Sequence, residues 1–169
     1  MSRHNKALSA YRHLARHPRR LFKLELRVYK GATTSDAPAP CTTGGSACLV
    51  SPRAVRAQHA RYPAIKFTHK RRYRVTLYAH VIVVLATRIR TRQAAGMWDP
   101  SKLNVSHSCH NTRCINPAHL ALVSPANNNS RSHHCIARVT CPSCPAAFNL
   151  CHHSPPCLTT ISTPCSSCV

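Results

Sequence analysis

The stretch SHSCHNTRCINPAHL, residues Ser106 to Leu120, places Cys109, Cys114 and His119 in a C-x4-C-x4-H spacing. Three soft or borderline donors that close together surround one tetrahedral zinc, with the fourth ligand arriving from a distance. Cys41 and Cys48 are the upstream candidates, and Cys41 is taken as that ligand. A remote cysteine there would also staple the preceding linker to the core. Downstream, Cys151-x-His153-x3-Cys157 offers a second set of three donors. Its fourth ligand comes from Cys135, Cys141 or Cys144, with Cys135 taken first, so two structural zinc ions are expected.

The rest of the chain fits that chemistry. The N-terminus carries Arg and Lys with no apolar signal-peptide core behind them, which predicts an intracellular chain whose eleven cysteines stay reduced and free to bind metal. Aromatic residues make up 5% of the sequence, so the apolar core should be thin and bound metal should add cohesion. The net charge of +21 sets 24 Lys and Arg against only Glu25, Asp36 and Asp99, and calls for a polyanionic partner. The longest apolar run, Val81 to Ala86, is far shorter than the roughly 18 residues of a membrane span. No membrane partner is expected.

Four segments follow from composition. Residues 1–30 form a basic N-terminal arm, readable as an amphipathic helix broken at Pro18 or as a solvated tail. Residues 31–60, with Pro38, Pro40, Gly44, Gly45 and Pro52, read as a linker holding the candidate Cys41. Residues 61–157 form a small mixed domain, and 158–169 a Ser, Thr and Pro rich tail with Cys165 and Cys168. From Arg71 the pattern has period two: Tyr73, Val75, Leu77 and Ala79 point one way, Arg72, Arg74, Thr76 and Tyr78 the other. With Arg61 to Lys66 as a shorter partner strand, this predicts an antiparallel ribbon whose basic face, with Lys66, Lys70, Arg72 and Arg74, can lie in a DNA major groove. The fold class is α+β with little regular core.

The string SHSCHNTRCINPAHL, followed by LVSPANNNSRS and CHHSPPC, resembles the His-Cys box homing endonucleases of the ββα-metal superfamily, typically encoded by group I introns in nuclear ribosomal DNA. The resemblance covers roughly residues 105 to 157. It implies a nucleus-located DNA endonuclease that makes double-strand breaks for intron homing. It implies that His107 is the general base, that Asn128 is the side-chain ligand of one catalytic Mg²⁺, and that Cys109, Cys114, His119 and Cys151, His153, Cys157 belong to two zinc sites. The family's arginine beside the scissile phosphate falls on Arg61, with Lys66 as substitute. Family members embrace a second subunit with their tails, so a homodimer on double-stranded DNA is implied too.

Elementary chemistry agrees with these roles. A neutral imidazole accepts a proton at cellular pH, and a hard divalent cation accepts a carboxamide oxygen. With three carboxylates in the chain, a two-metal site built from Asp and Glu is nearly excluded. Ser124-Pro125 is a good start for a short helix carrying Asn128 beside the strand that bears His107. The competing reading is a non-catalytic zinc-dependent nucleic-acid-binding protein or a decayed nuclease, which shares the charge and the cysteines but has no need of His107 and Asn128.

Overall fold

Two helices occupy the basic N-terminal segment, and the chemistry of their starts explains the division. The Ser2 hydroxyl accepts the Asn5 N–H at 3.2 Å and caps α1, Arg3–Ala15. Pro18 is the first residue of α2, Pro18–Tyr29, where its fixed φ suits a helix start and its ring forbids a continuous helix through it. The structure, a computed structural model, describes residues 2–34, 47–51, 62–69, 73–91, 102–132, 137–140 and 147–150. Among these, no helix is long and apolar enough to cross a membrane.

The remaining elements are short. Strands β1, Thr33–Thr34, and β2, Leu49–Val50, pair antiparallel, as do β3, Ala64–His69, and β4, Tyr73–Tyr78. Helix α3, Ala79–Arg90, follows β4 without a break. Strands β5, Asn104–His107, and β6, Leu120–Val123, pair antiparallel and lead into α4, Pro125–Ser132. A last pair is β7, Ala137–Thr140, with β8, Ala147–Leu150. Helices and two-stranded antiparallel sheets make this a small α+β fold, in which β5, β6 and α4 form a ββα unit.

The ribbon has the expected period. Val75 and Leu77 are buried, while Arg74, Thr76 and Tyr78 are exposed. Lys66 pairs with Thr76 and Thr68 with Arg74, so these side chains share the outer face. Two details differ. Tyr73, which pairs with His69 at the end where the two strands connect, is 40% exposed, and the partner strand begins at Ala64 instead of Arg61. Lys70, Arg72 and Arg61 lie outside the described residues.

Ala79 is a correction: it begins α3 and does not prolong the strand. All eight residues Ala79 to Ala86 are buried, so the run once weighed as a membrane span is a core helix. A short all-apolar run has no polar face to betray its period, and its β-branched Val81, Ile82, Val83 and Val84 argue locally for strand. Packing on every side overrides that preference. α1 and α2 supply Ala10, Leu14, Leu21, Leu24 and Val28, and the ribbon Ile65, Val75 and Leu77, to the same aliphatic cluster. The helices of the basic segment are thus part of the core, with Arg12, Arg19, Arg20, Lys23 and Arg27 exposed.

One ion pair sits at the seam of α2 and α3. Glu25, buried to 5% side-chain exposure, accepts both guanidinium arms of Arg90, itself 48% exposed. Removing the arginine strands a buried carboxylate, whereas removing the acid leaves a cation that water still reaches. Arg90→Met should therefore lower stability by about 3 kcal/mol and Glu25→Gln by about 1–2 kcal/mol, read from urea midpoints. Equal losses would contradict this account.

Candidate metal centre and cleft

Between β5 and β6 the chain makes a loop stitched by its own backbone. The Ser108 N–H donates to the His119 carbonyl at 2.8 Å, Cys114 N–H to Asn111 at 3.0 Å and His110 N–H to His107 at 3.1 Å. His110 has φ 57, a left-handed turn that few non-glycine residues adopt, and it lets the loop reverse directly after Cys109. Asn116 caps the single 3₁₀ turn Pro117–His119 by accepting the Ala118 N–H at 3.0 Å. Cys109, Cys114 and His119 thereby face one point.

The fourth donor is Cys48, which corrects the choice of Cys41, a residue outside the described ones. Residues 47–50 lie along the loop as a third partner: Ile115 N–H donates to the Leu49 carbonyl at 2.7 Å, Val50 bridges Cys114, and the Asn116 amide donates to the Ala47 carbonyl at 2.9 Å. Such pairing fixes Cys48 where the donors of Cys48, Cys109, Cys114 and His119 all lie within 4.8 Å of one another, all four residues being buried. His119 Nδ1 is 3.5 Å from Cys48 Sγ and 3.4 Å from Cys114 Sγ. On one tetrahedral zinc, usual Zn–S and Zn–N bonds put sulfur and nitrogen about 3.5 Å apart. The spacing fits the ion.

Charge fits as well. The Cys114 thiol is pulled down, first by the hydrogen bond from Cys109 and then, against burial, by Asn116 N–H, His119 and Cys48, while Cys109 is pushed up by the same contact and by burial. A cation at the centre relieves this competition by favouring every thiolate at once. Asn116→Ala deletes both the cap and the tie to residue 47. It should leave the donors in place but weaken zinc binding by about 10–100-fold, measured by competition with a chromophoric chelator. Unchanged affinity would mean that Cys48 is held by other contacts.

His107 ends β5 beside this cluster. Its Nε2–H donates to the Cys114 carbonyl at 3.1 Å, which leaves Nδ1 as the lone-pair nitrogen. Tyr62 stacks on the ring at 5.9 Å and His80 meets it edge-on at 4.8 Å. Burial, partly offset by the Cys114 carbonyl, lowers its pKa to about 4, so the imidazole is neutral at cellular pH. His80, more deeply buried and next to His107, is lowered to about 3.

A cleft of about 350 Å³ opens in front of His107, and Asn128 and Asn129 of α4 line it too. Helix α4 begins as expected: Ser124 Oγ accepts the Asn127 N–H at 3.2 Å, which turns Asn127 outward and Asn128, half-buried, inward. That register sets Asn127 apart from Asn128 and Asn129, three consecutive residues the sequence could not rank. The cleft wall also holds Tyr62, His110 and Arg131. Arg131 is buried and donates to Ser108 Oγ at 3.4 Å. It was missed in the sequence, although it lies three residues after Asn128 and so on the same helix face. Among the described residues, no carboxylate lines the cleft. Cys135, Cys141, Cys144, Cys151, His153 and Cys157 lie outside the described residues.

A ββα unit whose loop gathers three thiols and an imidazole defines a small fold with a donor set suited to zinc. Residues 47–166 match the family model described as the zinc-binding loop region of homing endonuclease, and the chain belongs to that family. The family is one of DNA nucleases, and membership implies DNA as the partner and zinc in the Cys48, Cys109, Cys114, His119 set. No curated protein and no solved structure matches the chain.

Proposed function

We propose that this protein is a site-specific, Mg²⁺-dependent DNA endonuclease in which His107 is the general base and Asn128 holds the metal. The observation that carries the reading is that the two side chains line one cleft, with His107 turned so that Nδ1 is its free acceptor. Nδ1 takes a proton from the attacking water, and the Cys114 carbonyl steadies the imidazolium so formed through Nε2–H. The Asn128 carboxamide is a hard oxygen donor of the kind that magnesium takes, and no carboxylate competes with it among the described residues of the cleft. Bound there, Mg²⁺ supplies Lewis-acid stabilisation of the scissile phosphate and the departing 3′ oxygen. Arg131 adds positive charge to the same wall.

The exposed ribbon face, with Lys66 and Arg74, is the proposed DNA-contacting surface, and Lys70 and Arg72, outside the described residues, are proposed as further contacts. A homodimer acting on a nearly palindromic site in nuclear ribosomal DNA, as in intron homing, completes the proposal, together with a second zinc held by Cys135, Cys151, His153 and Cys157. The test is incubation of purified protein with its uninterrupted host locus and Mg²⁺. Double-strand cleavage is expected, and Asn128→Ala should raise the Mg²⁺ concentration needed by at least about tenfold while DNA binding stays. Tight, zinc-dependent DNA binding with no cleavage at any Mg²⁺ concentration would instead identify a non-catalytic binder.

A further inference from the structure

A second polar cavity, of about 490 Å³, opens where α1, the start of α2 and the end of β3 meet. Its wall carries Arg12, Arg16, His13, His17, His69 and Ser9, and no carboxylate is among the described residues that line it. The three imidazoles are packed together, His13 lying 4.2 Å from His17 and 5.1 Å from His69 between ring centroids. Arg20 Nη1 lies 3.2 Å from His13 Nε2. A guanidinium can only donate, so Nε2 of His13 accepts and its proton sits on Nδ1. The wall is therefore rich in donors: two guanidinium groups, a histidine held in its Nδ1–H form, and the amide of Asn5. The residue that starts α2, His17, forms part of it and has no side-chain cap on that helix.

Donors and cations without acids suit a ligand that only accepts, such as a phosphodiester. Position narrows the source. Leu8 is shared with a neighbouring depression, which in turn shares Tyr62, Val105 and Asn128 with the His107 cleft. The three hollows thus follow one another across the same part of the surface.

From this we infer that the α1 cavity is a phosphate-binding subsite for the backbone of duplex DNA flanking the cleft, with Arg12 and Arg16 as its principal contacts. Such contacts set register and orientation and carry no base information. The inference rests on DNA binding and not on the nuclease chemistry, so the two fail separately.

The experiment uses the full-length, zinc-loaded protein and a 30-base-pair duplex of arbitrary sequence, without Mg²⁺, over a series of KCl concentrations. Each lost phosphate contact lowers the slope of log K against log salt by about 0.9. Arg12→Gln/Arg16→Gln should flatten the slope by nearly two such units and weaken binding about tenfold at the lowest salt. An equal charge loss on the solvent face of α2, Arg19→Gln/Lys23→Gln, should leave the slope unchanged. Arg12→Lys/Arg16→Lys should keep most of the slope, which excludes misfolding as the cause. Equal effects of the two Gln pairs, or none from the first, would overturn the proposal. So would saturable binding of inorganic pyrophosphate at the cavity with no change in the duplex slope, since that marks a site for a free anion.

Discussion

Replacing His107 by alanine lowers DNA cleavage by a factor of about 10²–10⁴ and leaves zinc content and DNA affinity close to wild type. The size follows from the chemistry proposed for the side chain, the removal of one proton from water in the transition state. The selectivity follows from its placement. The ring is not one of the four donors of the metal cluster, and its one protein hydrogen bond given by the geometry is to a backbone carbonyl, that of Cys114. Alanine therefore removes a base without unravelling the loop. The measurement is single-turnover cleavage of the target duplex at saturating Mg²⁺, beside zinc quantification and a binding isotherm. A variant that cuts at the wild-type rate would remove His107 from the mechanism. One that loses zinc would show the residue to be structural.

Loss of the zinc in the Cys48, Cys109, Cys114, His119 site is the other large effect. Structural zinc in small domains contributes on the order of 10–16 kcal/mol of folding free energy, more than the net stability of most domains. Cys48→Ser should lower the metal content by one zinc per chain and abolish cleavage. It should do so without destroying the helices, because α1, α2 and α3 rest on an aliphatic cluster distinct from the buried cysteines. Far-ultraviolet dichroism should accordingly retain most of its helical signal while thermal unfolding loses cooperativity. Full retention of both zinc and activity would show that Cys48 is dispensable and return Cys41 to consideration.

The two effects are joined at Cys114. Its sulfur belongs to the metal set and its carbonyl receives His107, so one residue transmits the rigidity of the zinc site to the base.

The local part of this arrangement could be read from the sequence. Cys109, Cys114 and His119 are close along the chain, and their spacing alone gathers them. The Ser124-Pro125 start likewise marks where α4 begins, although it does not rank Asn127, Asn128 and Asn129 against one another. Cys48 could not be ranked above Cys41, because it lies 71 residues from His119 and only the pairing of residues 47–50 with the loop decides which cysteine arrives. Helix α3 was hidden for a different reason: a segment buried on all faces has no amphipathic period, and its β-branched residues favour the opposite assignment. Tyr62 and His80 reach His107 through tertiary contact, which no spacing rule anticipates.

Nitrogen-15 NMR of the His107 imidazole, recorded on the zinc-loaded protein and again after the metal is chelated, tests the link between metal and base most directly. The account predicts a single tautomer with its proton on Nε2 and a bare Nδ1 while zinc is bound, giving way to tautomer averaging once it is removed. A proton on Nδ1 in the loaded protein, or spectra indifferent to zinc, would contradict it.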